Sequence, residues 1–307
     1  MNGFVLRTHN LTKKYGKQKA ADNVSMNIKQ GEIYGFIGQN GAGKTTMMKM
    51  IMGLVIPTSG NLEIFGQNEP RELEKVRQKI GSIIESPSFY PHFNAYDNLK
   101  YIGKIYGISD GNLIENILHR IGLDQTGKKK SGEFSLGMKQ RLAIGMALLI
   151  KPKFLLLDEP MNGLDPQGTV EIRNLILSLN RDENMTVLIS SHILDELSKI
   201  ATCYGIIHNG VLVEEISTKE LEKKCSKHIE LLVNDNQKAL SVIKDMGIEN
   251  FEVKPDGSIE IFDENIKTSD ITFNMVQNKV DVKSIVQKNM TLEDYFLGLG
   301  MEVQKNA

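Results

Sequence analysis

Cysteine is scarce in this chain. Cys203 and Cys225 are the two that occur in 307 residues. That excludes a disulfide framework, leaves no metal-binding cysteine spacing, and fits a reducing compartment. Excess charge of either sign is missing too. The net charge is −1, so bulk electrostatics favour neither nucleic acid nor an anionic membrane surface. Long apolar runs are lacking: the longest, Leu142 to Ile150, has the length of a buried helix and falls short of the ~18–20 residues that span a bilayer. The opening residues, Met1-Asn2-Gly3-Phe4-Val5-Leu6-Arg7, carry neither the apolar stretch nor the small-residue cleavage site of a signal peptide. A cytoplasmic chain is expected, one that at a membrane would have to dock on another subunit. Tryptophan is absent, which excludes nothing. Hydrophobic residues make up 40% and charged residues 24%, a balance that permits a sizeable core. The length suits two domains.

What is present begins with Gly38-Gln39-Asn40-Gly41-Ala42-Gly43-Lys44-Thr45-Thr46, the phosphate-loop pattern G-x-x-x-x-G-K-S/T. Gly38, Gly41 and Gly43 let the backbone N–H groups, Asn40 and Thr46 included, approach anionic oxygens closely. Lys44 adds a point charge for the outer phosphates, and the Thr45 hydroxyl suits Mg²⁺. Ile33 to Ile37 is a short apolar strand pattern before the loop, and Thr46 to Met52 a helix former after it. A helix N-terminus would therefore point at the phosphates.

The rest of the chain reads as an α/β core with a helical insertion. Residues 4 to 37 have β character, with Asn23 to Lys29 alternating as one strand. From about 86 to 150 the spacing is helical, as in Leu113, Ile114, Ile117, Leu118 and Ile121. Short apolar runs at Phe154 to Leu157, Thr186 to Ile189 and Tyr204 to Ile207 suit buried parallel strands. A second unit is expected over 229–307, with the order βαββαβ of a ferredoxin-like fold and a hairpin turn at Pro255-Asp256-Gly257. A linker is expected over 218–228, supplied by charged residues and the stretch Gly210 to Lys227. Lys128-Lys129-Lys130 reads as a solvated loop.

Hydrolysis needs a metal anchor and a base for water. The strand Phe154-Leu155-Leu156-Leu157 ends in Asp158-Glu159-Pro160. Asp158 is placed to hold the metal and Glu159 to orient and deprotonate the attacking water. His192 follows the strand at Thr186 to Ile189. If that strand lies beside the one bearing Asp158, His192 reaches the γ-phosphate and the water at the carboxyl edge of the sheet.

Phe134-Ser135-Leu136-Gly137-Met138-Lys139-Gln140-Arg141, ahead of Asp158, resembles the L-S-G-G-Q signature of ATP-binding cassette (ABC) ATPases. Phosphate loop, signature, Asp-Glu pair, the Leu164-Asp165 turn and His192 stand in that family's order over residues 4 to about 215. The resemblance implies an ABC-type P-loop NTPase core over 1–217 with ATP and Mg²⁺ as cofactors. It makes Tyr15 an adenine-stacking aromatic and adds Asp165 to the nucleotide site. It also implies that Ser135 and Gly137 clasp the γ-phosphate on a second copy in a head-to-tail homodimer. Leu136 and Met138 depart from the usual Gly and Gln.

Glu85 stands where most such cassettes carry a Gln beside Mg²⁺ and the water, and the resemblance makes it both a catalytic and a metal-site candidate. A carboxylate only accepts hydrogen bonds, whereas an amide also donates. Glu at this position, with the ending Thr291-Leu292-Glu293-Asp294-Tyr295-Phe296, resembles cassettes of bacitracin resistance and lantibiotic immunity. That implies an exporter subunit driving a separate permease. Phe89, Tyr90, Phe93 and Tyr96 either receive a permease helix or form core. The alternatives are a soluble ABC ATPase with a regulatory or nucleic-acid-related role, and an exporter of a non-peptide substrate. The C-terminal unit can also be read as a sensor or dimerisation module.

Overall fold

The computed structural model describes residues 3–86, 88–225, 228–263 and 266–288, with 292, 294–296, 298 and 299 beyond them. The chain divides into two compact units between Thr218 and Lys219.

The first unit runs β1 (Phe4–Tyr15), β2 (Gln18–Val24), β3 (Asn27–Lys29), β4 (Ile33–Ile37), α1 (Lys44–Ile51), β5 (Ser59–Ile64), α2 (Pro70–Arg77) and β6 (Ile80–Ile83). Then come α3 (Ala95–Ile105), α4 (Gly111–Arg120), α5 (Leu136–Leu148), β7 (Phe154–Asp158), α6 (Pro166–Glu183), β8 (Thr186–Ser191), α7 (Leu194–Ser198), β9 (Cys203–His208) and β10 (Val211–Ser217). Helix α8 (Thr218–Cys225) crosses the division.

The larger sheet is ordered β10-β9-β4-β8-β7-β6. Its neighbours from β9 to β6 are parallel, and β10 closes one edge antiparallel. Every residue of β4, β7 and β8 is buried, as expected for parallel strands covered on both faces. A second, antiparallel sheet is built on β1, which pairs with β2, β3 and β5. Met47, Met48, Met50 and Ile51 of α1 share one core with Leu6 and Leu11 of β1 and with Phe36, Phe154 and Leu188 of the larger sheet. Unbranched Met fills the irregular space there, and each such side chain contributes about 1.5–3 kcal/mol by leaving water. The helix that carries the phosphate loop is therefore anchored along its buried face.

Two expectations are corrected. Asn23 to Lys29 is two strands, because the Thr8 hydroxyl enters the ladder at the break: it donates to Val24 O and accepts from Met26 N, both at 2.9 Å. Asn23 takes a left-handed φ of 52° there. Of the charged stretch expected to supply the linker, Val211–Ser217 is strand β10 and Thr218–Cys225 is helix α8. The charges misled because β10 is an edge strand: Glu215 accepts from Tyr34 Oη at 2.9 Å and from Asn27 N at 2.7 Å.

The second unit runs β11 (His228–Val233), α9 (Asn236–Asp245), β12 (Phe251–Val253), β13 (Ile259–Ile261), α10 (Thr268–Gln277) and β14 (Val282–Lys288). Its sheet is ordered β12-β13-β11-β14, all antiparallel. Ile229, Leu231, Ile259, Ile261, Ile271 and Met275 lie in a core of its own. Of the ending Thr291 to Phe296, Thr291 and Glu293 lie outside the described residues.

Candidate active site

The glycine-rich loop links β4 to α1 at the carboxyl edge of the larger sheet. Gly43 has φ 109°, and a Cβ there would lie 2.2 Å from Ala20 O, so no other residue fits. Lys44, 5% exposed, turns back over the loop. Its ammonium donates to Gly38 O at 2.7 Å and Gln39 O at 3.2 Å, and pairs with Glu159 Oε1 at 3.1 Å. Asn40 and Gly41 are exposed and Thr46 is half-buried.

Parallel pairing of β7 with β8 sets Asp158 opposite Ser190. The Thr45 hydroxyl donates to Asp158 Oδ2 at 2.8 Å. Glu159 follows with a left-handed φ of 48°, a conformation costing a non-glycine residue about 1–2 kcal/mol. Its carboxylate reaches Lys44 on one side and His192 Nδ1, at 2.5 Å, on the other. Loop, acid pair and histidine, far apart in sequence, are thus one connected cluster. Thr45 Oγ1 and the Asp158 carboxylate are adjacent hard oxygens, a donor set that fits Mg²⁺ together with phosphate and water.

Sequence reasoning missed Ser190. Fully buried, its hydroxyl donates to Asp158 Oδ1 at 2.6 Å and accepts from Glu159 N at 2.9 Å. The available signal was a hydroxyl at the end of an otherwise apolar strand. Lys49 was missed as well.

The other candidates lie further out. Tyr15 is 51% exposed, with Lys13 Nζ 5.0 Å from its ring centroid. Ser135 caps α5, its Oγ accepting from Met138 N at 3.2 Å. A hydroxyl that accepts at a cap still has its proton to donate to an anion. A Cβ on Gly137 would meet its nearest neighbour at an ordinary 3.5 Å, so packing inside this chain does not demand glycine there. Asp165 caps α6 by accepting from Gly168 N at 2.9 Å. Glu85, with φ 65°, pairs with Lys49 Nζ at 2.5 Å and is otherwise exposed. Tyr90 and Phe93 are exposed and cluster with Tyr101, with centroids 4.6–6.0 Å apart. They are not core; Phe89 and Tyr96 are half-buried. Nearby, Met52, Ile83, Ile84, Ile102, Tyr106 and Met146 line a groove of about 350 Å³.

Residues 21–162 match the ABC transporter family. The chain is 45% identical to the bacitracin transport ATP-binding protein BcrA of Bacillus licheniformis, across 96% of this chain and 97% of that one. The chain belongs to the ABC transporter ATP-binding proteins. This cassette binds and hydrolyses ATP. It is also 44% identical to the lantibiotic transport ATP-binding protein SrtF of Streptococcus pyogenes, over 75% of this chain and 96% of that one. Among solved structures it resembles the dimeric post-hydrolysis cassette MJ0796 bound to ADP and Pi, with TM-score 0.62 and 27% identity over 69% of this chain and 98% of that one. Among the described residues, no helix of the cassette is long and apolar enough to cross a membrane.

Proposed function

We propose that this cassette is the ATP-hydrolysing subunit of an exporter that removes peptide antibiotics of the bacitracin or lantibiotic type through a separate membrane permease. The observation that carries the reading is similarity to a bacitracin transport protein along nearly the whole of both chains. The mixed groove, where Ile83, Ile102, Tyr106 and Met146 lie beside Arg77, Gln78 and Ser82, supports a permease partner, since an amphipathic helix laid there would bury its apolar anchors and leave polar groups to pair. Docked there, the protein works on the cytoplasmic face of the membrane.

Two copies assemble head to tail around ATP, as the dimeric state of MJ0796 supports. Lys44 and the loop amides hold the phosphates, and Tyr15 offers a face to the adenine. Ser135 and Gly137 of each copy present a hydroxyl and helix N–H groups to the nucleotide on the other. Thr45 and Asp158 would hold Mg²⁺, which neutralises charge on the phosphate oxygens. Glu159 takes the proton of the attacking water. In the structure this base is held between Lys44 and His192; an arriving phosphate draws Lys44 away and leaves Glu159 with His192.

Two measurements test the reading. Glu159→Gln is expected to slow hydrolysis ~10²–10⁴-fold, the range for a lost general base, with ATP binding retained; near-normal turnover refutes the assignment. A strain lacking the gene should become sensitive to bacitracin or a lantibiotic. Sensitivity to unrelated non-peptide drugs alone would show another substrate.

A further inference from the structure

Two acids stand just past neighbouring strands at the carboxyl edge of the larger sheet, and each is paired with a lysine of α1. β6 and β7 are parallel neighbours whose last paired residues are Ile83 and Leu157. Two residues beyond that pair stand Glu85, past the end of β6, and Glu159, just past the end of β7. Both have left-handed backbones, with φ 65° and 48°. Non-glycine residues in that region cost energy and persist where the surroundings impose them, often at functional sites. Lys44 faces Glu159. Lys49 faces Glu85, Nζ to Oε1 at 2.5 Å.

Lys49 does not belong to the phosphate-loop pattern, yet α1 sets it beside the site. Thr45 and Lys49 are four residues apart on α1 and so share one face. On that face Thr45 holds Asp158 and, one turn on, Lys49 holds Glu85. The Glu85 hydrogen bond raises the Lys49 pKa above its ordinary value, with Asp158 among the smaller causes.

We propose that Lys49 is a positioning residue whose ion pair with Glu85 makes an acid workable where most related cassettes carry an amide. The Lys49 ammonium cancels the charge that Glu85 would otherwise direct at the triphosphate, and it fixes the carboxylate's direction. Together the pair offers donors and acceptors, as a single amide does. An exposed ion pair adds little to folding stability; its effect here is local and electrostatic. The inference rests on the reading that Glu85 faces the nucleotide.

The test is a double-mutant cycle on the full-length protein, scored by affinity for a non-hydrolysable ATP analogue in EDTA and by ATPase rate. Without metal the nucleotide carries its full negative charge, so an uncompensated Glu85 should repel it most. Lys49→Met is expected to weaken analogue binding about tenfold, the size of coupling seen between contacting residues. The loss should vanish in the Glu85→Gln background. It should also shrink at about 1 M salt, where the screening length is about 3 Å. Lys49→Arg, which keeps the charge, should restore most of the affinity. An equal loss from Lys49→Met in both backgrounds, or no loss in either, overturns the inference. A Glu85→Gln single variant with unchanged affinity and rate overturns instead the placement of Glu85 at the nucleotide. The two failures are therefore distinguishable.

Discussion

Ser190 ties together two consecutive acidic residues, Asp158 and Glu159. Its hydroxyl holds one oxygen of Asp158 and the backbone N–H of Glu159, the residue whose backbone is left-handed. Ser190→Ala removes a donor from a buried carboxylate and takes its acceptor from the half-buried Glu159 amide. The expected cost is about 1–3 kcal/mol in urea unfolding, with slower ATP turnover; unchanged stability would show that water replaces the hydroxyl. Cys203 makes a second case at this scale. Burial pushes its thiol up to about 12. Since the thiolate is the nucleophile, Cys203 should resist alkylation in the native protein and react once unfolded. Mass mapping of labelled peptides checks this. The eight-residue phosphate pattern was legible because its chemistry is local. Ser190 was not, because its role exists only when β7 and β8 lie side by side.

Helix caps separate folding from function at the level of elements. Asp110 caps α4 by accepting from Asn112 N and Leu113 N. Ser135 caps α5. Replacing either with Ala should cost about 0.5–2 kcal/mol in chemical denaturation. Asp110→Ala should leave ATP hydrolysis intact, while Ser135→Ala should also impair it, because that hydroxyl is exposed to the second copy's nucleotide in the proposed dimer. Equal activity in the two variants would count against the composite site. Strands β4, β7, β8 and β9 could be read from their apolar runs, since a strand covered on both faces tolerates few polar residues. β10 could not be read in this way. At the sheet edge Glu215 accepts from Tyr34 and Asn27, residues distant in sequence, so Glu214 and Glu215 resemble a linker until the ladder with β9 is seen.

Alkaline stability is a property of the whole molecule. The ordinary Cys value is 9.0 and that of folded Cys203 about 12. Below the lower value both states hold the proton. Between the two the unfolded chain releases it first, so stability falls as pH rises. Tyr34, raised by burial and by Glu215, acts in the same direction. Unfolding free energy should therefore decline above pH 9.0, and less steeply in Cys203→Ala. The division after Thr218, with a core in each unit, leads to a further expectation. A chain ended at Thr218 should still fold and bind ATP, measured by calorimetry; failure to fold would show that the second unit supports the first. By itself the sequence determined the nucleotide chemistry, the α/β class and the family resemblance, because each rests on neighbouring residues or on periodicity. Only the tertiary structure decided that Lys44 and His192 share Glu159, that Ser190 ties Asp158 to it, and that Lys49 answers Glu85. Those contacts join residues dozens of positions apart, and strand order and register, which are set by packing of the whole core, bring them within hydrogen-bond reach.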